Sequence, residues 1–326
     1  MSTNNKSWLS VYFYRTGSWK SFLVEGIKPF VESVLYEGIA EQFFFIRYGE
    51  RGPHIRLRLK GESGTIEQTL KPRLKTYFLD YFVTNPTHRV EPSSVNDLPK
   101  KQMWFPNDSI QFIKYKPEVT RYGGPKGLLI SEKQFEASSR AVLSILAEHD
   151  TWDYQRALGS AIQLHLVFSF ALGLDLEEAK QFFTYIYAFK PMLLSNEAQK
   201  HKEDVTKIFE EKFNQQKDVL VPYHQNMWLA LETNSTFEQT WLNEWNETMN
   251  NIGAEWKQAQ EQRQLIYPDF HIYDDGHVGS INTNYKMWSI WASNIHMTNN
   301  RLGILNQDEA YLGYLIKRSL ESLEAK

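Results

Sequence analysis

Apolar and polar residues alternate most sharply over residues 42–61, QFFFIRYGERGPHIRLRLKG. His54, Arg56, Arg58 and Lys60 interleave with Ile55, Leu57 and Leu59. A period of two predicts a strand with one apolar and one cationic face. If a turn is centred near Arg51, Phe43, Phe45 and Arg47 share the face of Ile55, Leu57 and Leu59. Phe44, Ile46 and Tyr48 then share the face of His54, Arg56 and Arg58. Fixed cations on a strand hold a carboxylate or phosphate through charge-assisted, sometimes bidentate, hydrogen bonds. The plainer reading is a solvated sheet face; Tyr48 and His54 among the arginines favour a site.

Around this hairpin the pattern changes period. Residues 9–14 read as a first strand. Residues 19–36 read as a helix with Phe22, Ile27, Phe30, Val31 and Val34 on a stripe, Ser18 as cap, and Pro29 as a kink or division. Residues 65–83 place Ile66, Leu70, Leu74, Phe78 and Phe82 four apart, a second helix. An irregular stretch over 84–103 follows, rich in Pro, Asn and Ser. SIQFIKYK, residues 109–116, resumes the sheet and puts Lys114 and Lys116 on one face. Residues 117–125, PEVTRYGGP, form a Gly/Pro turn. The order strand, helix, hairpin, helix predicts helices stacked on a mostly antiparallel sheet.

From Ser131 the spacing is helical. Helices are expected over 132–148 with Ser131 as cap, and over 152–173, 176–194, 202–212, 218–231, 237–256, 282–300 and 307–323. Short links suit packed bundle neighbours. The fold class is α+β: a sheet with packed helices in the N-terminal part and a mainly helical C-terminal part. It is read as one domain over 1–326, with subdomains 1–130 and 131–326.

Composition narrows the function classes. The chain has 326 residues, enough for a large core or two subdomains, and 14% aromatic residues for a core and an amphipathic groove. The net charge of -3 argues against non-specific nucleic-acid binding. The absence of Cys removes disulfides, thiolate nucleophiles and Cys-ligated metals, and fits a reducing compartment. No stretch approaches a membrane span and the N-terminus has no long apolar run, so a cytoplasmic location is expected. Nucleotide, metalloprotease and nucleophile-elbow motifs are absent, so no cofactor is expected.

Three places carry candidate chemistry beyond the hairpin. Arg121 sits in the RYGG turn, where the glycines allow it to be presented rigidly; the alternative is an Arg121–Glu118 pair that pins the loop. His296 lies near the end of its helix, just before Asn299, Asn300 and Arg301, and suits acid–base work near neutral pH; the alternative is a helix-terminal His capping carbonyls. His271, Asp274, Asp275 and His277 in the 268–279 break invite a metal but have no recognised ligand spacing. His165, alone among Leu, Val and Phe, reads as a hydrogen-bonded core residue.

FFFIRYGERGPHIRLRLKG, KPEVTRYGG and SNIHMTNNRLG, in that order, resemble the lantibiotic dehydratase C-terminal, or thiopeptide-type bacteriocin biosynthesis, family. The resemblance covers nearly the whole chain and implies a stand-alone form of a domain often fused behind a glutamylating one. It implies removal of glutamate from glutamylated Ser or Thr of a ribosomally made precursor peptide, leaving dehydroalanine or dehydrobutyrine. The implied partners are that leader–core peptide and a separate tRNA-dependent glutamylating component, with no nucleic acid bound directly. Related members instead join two dehydroalanines in a formal [4+2] cycloaddition. A non-catalytic peptide-binding protein is the third alternative.

The family's late histidine corresponds to His296 and its RYGG arginine to Arg121. A further arginine matches Arg156 or Arg140. An Asp-Ser pair of the family is replaced by Ser138 and Ser139. The implied catalytic set is His296, Arg121, Arg56, Arg58 and Arg156. His54, Tyr48, Tyr122, Asn300 and Arg301 are the implied substrate-binding residues. His296 would abstract the alpha proton. Arg121 would hold the glutamyl ester or leaving carboxylate, with Arg56 or Arg58 helping.

Overall fold

The computed structural model describes residues 5–90, 99, 101–192, 202–267 and 283–323. The chain divides into two compact units, residues 1–117 with 142–152, and residues 118–141 with 153–326.

The first unit is built on four antiparallel strands in the order β2-β3-β1-β4. They are β1 (Lys6–Tyr14), β2 (Gln42–Tyr48), β3 (His54–Glu62) and β4 (Ser109–Phe112). The hairpin register pairs Phe45 with Leu57 and Ile46 with Arg56, so the two faces have the expected membership. The turn needs positive φ, and Arg51 (60°) and Gly52 (105°) supply it. Strand β4 is shorter than the alternation predicts. Lys114 and Lys116 lie beyond it, in irregular chain over 113–118.

Two helices cover the apolar face. Helix α1 runs as Trp19–Ser21, a π-helical turn Phe22–Ile27, and Lys28–Tyr36. Helix α2 runs as Ser63–Thr65, a π-helical turn Ile66–Leu70, and Lys71–Thr84. Each wide turn ends just before a proline, Pro29 or Pro72. A proline ring clashes with the carbonyl four residues back and donates no hydrogen bond. The wide turn moves that carbonyl aside: Lys28 N–H reaches Leu23 O and Lys71 N–H reaches Ile66 O, five residues back. The helix therefore continues through Pro29 rather than dividing. Phe13 of β1 sits 4.3 Å from Phe78 and 5.5 Å from Phe22, ring centroid to centroid, at the heart of this core.

The second unit is helical: α3 (Gly124–Glu148, whose last turns cluster with the first unit), α4 (Tyr154–Ala171), α5 (Leu176–Met192), α6 (Lys202–Glu232), α7 (Thr240–Glu261), α8 (Thr283–Leu302) and α9 (Asn306–Glu321). Two expectations are corrected. Helix α3 begins at Gly124, so Ser131 is an interior, fully buried residue and not a cap. Residues 202–212 and 218–231 belong to one helix, because α6 runs through Pro222 without ending. Helix α4 is buried along most of its length, and the Trp245 indole N–H of α7 donates to Leu164 O at 3.0 Å. Among the described residues, no helix is long and apolar enough to cross a membrane.

Candidate functional site

The candidate residues fall in both units. In the first, the antiparallel register sets the basic residues of β3 opposite the aromatic residues of β1: Trp8 opposite Lys60, Tyr12 opposite Arg56, Tyr14 opposite His54. The guanidinium of Arg56 lies 3.7 Å from the Tyr48 ring centroid and 4.5 Å from that of Tyr12. Arg58 lies 4.3 Å from the Tyr115 ring and 5.1 Å from that of Phe44. Stacking on ring faces holds a guanidinium without neutralising it.

The face is buried rather than solvated: Arg58 is 7% exposed and His54 4%. Burial pushes His54 down to about 4, with Arg56 adding to the effect and the Gly52 carbonyl opposing it. The ring is neutral at physiological pH. Its Nδ1–H donates to Gly52 O at 2.8 Å, and its Nε2 accepts from Arg56 Nε at 2.9 Å. His54 thus orients Arg56. Glu50 completes the guanidinium's polar contacts at 3.3 Å. Tyr48 remains partly exposed at the strand end.

In the second unit, the RYGG turn needs glycine twice. Gly123 and Gly124 have φ of 84° and 81°, the left-handed region that a side chain disfavours. The turn delivers Arg121 to α8. Its Nε donates to Ser293 Oγ at 3.2 Å and its Nη1 to Glu118 at 3.0 Å. The pinning pair with Glu118 therefore exists, and the same guanidinium also reaches a helix. Ser289, Ser293, His296 and Asn300 fall on one stripe of α8 by helical spacing. Arg121 is therefore bonded one turn before His296, and residues three apart on a helix are neighbours. Tyr122 is buried against Phe135, with ring centroids 5.0 Å apart, and belongs to the core.

The His296 side chain is 19% exposed, and its Nδ1 meets Glu309 Oε1 of α9 at 2.6 Å. The rest of the HMTNNR stretch fixes α8 in place. Gln134 of α3 donates to Thr298 Oγ1 at 3.0 Å, and His165 of α4 pairs with Asn299 Oδ1 at 2.7 Å. His165 is the hydrogen-bonded core residue its apolar setting predicted. Arg301 is completely buried: Nε donates to Ser139 Oγ at 2.9 Å and Nη1 to Met297 O at 2.7 Å. Asn300 is half-buried on the His296 stripe.

Arg156 lies in the first turn of α4, 3.7 Å from its capping residue Asp153. Arg140 pairs with Glu136 at 2.7 Å and lines a depression of about 510 Å³ with Trp241 and Trp245. A second depression, about 360 Å³, is bordered by Tyr154, Lys212, Asp308 and Tyr311. Neither is lined by Arg121 or His296. Among the described residues no cluster of His, Asp and Glu is suited to a metal, and the 268–279 candidates lie outside the described residues. Ser293 and Glu309 were missed from sequence. Glu309 falls in the first turn of a helix, where an acidic residue ordinarily faces solvent beside the positive helix end.

Comparison with known proteins supplies the family. Curated protein sequences give no match. Among solved structures, the chain is similar to the pyridine synthase TbtD from thiomuracin biosynthesis, with TM-score 0.73 and 12% identity over 98% of this chain and 99% of that one. It is similar to TsrL, with TM-score 0.66 and 16% identity over 98% and 96%. It is also similar to the tRNA-dependent lantibiotic dehydratase MibB from Microbispora sp. 107891, with TM-score 0.62 and 16% identity. That match covers 98% of this chain but 28% of MibB. At these identities the likeness is one of fold. The sequence model described as Lantibiotic biosynthesis dehydratase C-term matches residues 8–320. The chain belongs to the lantibiotic biosynthesis dehydratase C-terminal family.

Proposed function

We propose that the protein removes glutamate by β-elimination from glutamylated Ser or Thr side chains of a ribosomally made precursor peptide. The observation that supports this reading is the meeting of Arg121 and α8 one turn from His296. A glutamyl ester presents a carboxylate for the guanidinium and an alpha proton for the imidazole. His296 takes the proton from the peptide Cα. The C–H electron pair becomes the Cα=Cβ bond, and the Cβ–O pair leaves on glutamate as a carboxylate. Arg121 stabilises that leaving carboxylate through charge-assisted hydrogen bonds. Arg56 and Arg58 are proposed as anion-binding groups on the first unit. Arg156 is proposed as a further catalytic arginine and Tyr48 as a peptide contact.

The proposed partners are the precursor peptide and a glutamylating component. A synthetic peptide carrying an O-glutamyl serine tests the reading. The expected product has lost one glutamic acid, as read by mass, and His296→Ala leaves the ester intact. An unchanged mass with the parent protein, or full turnover by His296→Ala, refutes it.

A cyclising reading is kept as the alternative, because the fold likeness to a pyridine synthase spans nearly all of both chains. A peptide that already contains dehydroalanines separates the two: cyclisation creates a new absorbance on that substrate, and elimination does nothing to it.

A further inference from the structure

We propose that Glu309 is the positioning residue for His296. It fixes the imidazole in the Nδ1–H form, turning Nε2 toward the substrate as the base. This assignment rests on the elimination reading above.

The geometry is a carboxylate oxygen 2.6 Å from a ring nitrogen. In this proposal Glu309 is the ionised partner: a carboxylate only accepts hydrogen bonds, so the proton of a neutral ring then sits on Nδ1. The remaining lone pair is then on Nε2, at the opposite side of the ring. Glu309 is 1% exposed while the His296 side chain keeps 19%. The carboxylate is thus at the inner end of the pair and the imidazole at the outer end, the order a base with a buried orienter requires.

The surroundings of Glu309 make the contact strong. Phe183, Ile186, Ile295, Leu312 and Ile316 pack beside it so closely that no water fits between them. A low local dielectric strengthens a charge-assisted bond. His165, also within electrostatic reach of Glu309, is held neutral by burial, which pushes it down to about 4. Its Nε2–H is committed to Asn299. His296 is the imidazole in direct hydrogen-bond contact with this carboxylate. As the imidazole gains the substrate proton, the ion pair with Glu309 lowers the energy of the imidazolium.

The bond also fixes aim. Helix α8 is held against rotation by Gln134 and by Ser139 through Arg301, and by His165 through Asn299. Glu309 adds the restraint on the ring itself. A general base displaced by a fraction of an ångström loses rate steeply.

Two measurements test the proposal. Nitrogen-15 NMR of the histidine-labelled protein, with His296→Asn to assign the signal, reads the tautomer without any substrate. The Nδ1–H form is expected in the parent, and a dominant Nε2–H form overturns the inference. Glu309→Gln keeps shape and an acceptor oxygen but removes the charge. Its turnover of the O-glutamyl serine peptide should fall about tenfold or more in kcat. KM should be essentially unchanged, and the acid limb of the rate profile should move to lower pH. An unaltered kcat and pH profile in Glu309→Gln, with His296→Ala inactive, overturns this inference and leaves the elimination reading standing. An active His296→Ala instead sinks the elimination reading, and the tautomer measurement still judges the geometry.

Discussion

Arg121 reaches in two directions at once, toward Glu118 on its own turn and toward Ser293 on α8. That reach depends on nitrogens set apart on a rigid plane, which an ammonium does not have. Arg121→Lys keeps the charge and loses the fork. We expect it to cost about 1.5–3 kcal/mol of transition-state stabilisation, roughly 10- to 100-fold in kcat/KM on the O-glutamyl peptide. A loss below twofold would show that charge alone suffices. Single residues also mark where sequence reasoning stops. His296, Thr298, Asn299, Asn300 and Arg301 look alike as a polar run. In the structure Thr298, Asn299 and Arg301 are buried locks, while His296 and Asn300 keep some exposure. Which way a polar side chain turns depends on Gln134, His165 and Ser139, residues more than 130 positions away. Nothing local records that.

At the scale of elements, legibility follows period. Strands β2 and β3 were readable down to the face each side chain takes, because a period of two assigns the faces once the turn is placed. The helix starting at Gly124 was not. GPKG contains two glycines and a proline, and local propensity reads it as a turn, yet Pro is well suited to the first helical turn. Helix α6 was cut in two for the mirror-image reason. Its polar middle and Pro222 look like a break, but the helix continues. At Pro222 the carbonyl of Asp218 has no backbone donor from four residues on, since proline carries no N–H. Pro222→Ala restores the donor and removes the ring clash. We expect stabilisation of about 1–3 kcal/mol, seen as a higher urea midpoint with an unchanged slope. A lower midpoint would mean that the helix is bent around Pro222 to fit its neighbours.

Over the whole molecule, acid stability is governed by buried histidines. His54, His165 and His224 are all pushed down to about 4, in each case chiefly by burial. The unfolded chain binds these protons near pH 6.5 and the folded chain only near pH 4. Between those values the unfolded state holds more protons, so stability falls as pH drops through the window and levels off below it. Each histidine contributes a loss on the order of 3 kcal/mol at most, which makes the three together comparable to a domain's whole stability. Glu210 acts in a lower window. Its bonds to Arg318 and Tyr314 hold it down to about 2, so its contribution is lost only as pH falls from the ordinary carboxylate range toward that value. Glu136 and Asp308, both pushed up by burial, work the other way and soften the decline. His224 isolates the histidine effect, because it is fully buried and neither ring nitrogen has a hydrogen-bond partner. An apolar side chain there leaves no polar group stranded and removes a titration. Urea unfolding at a series of pH values between 7.5 and 4 should show His224→Leu losing about a third of the parent's pH slope while matching or exceeding its stability at neutral pH. Equal slopes in the two proteins would mean that His224 is protonated, or reached by water, in the native state.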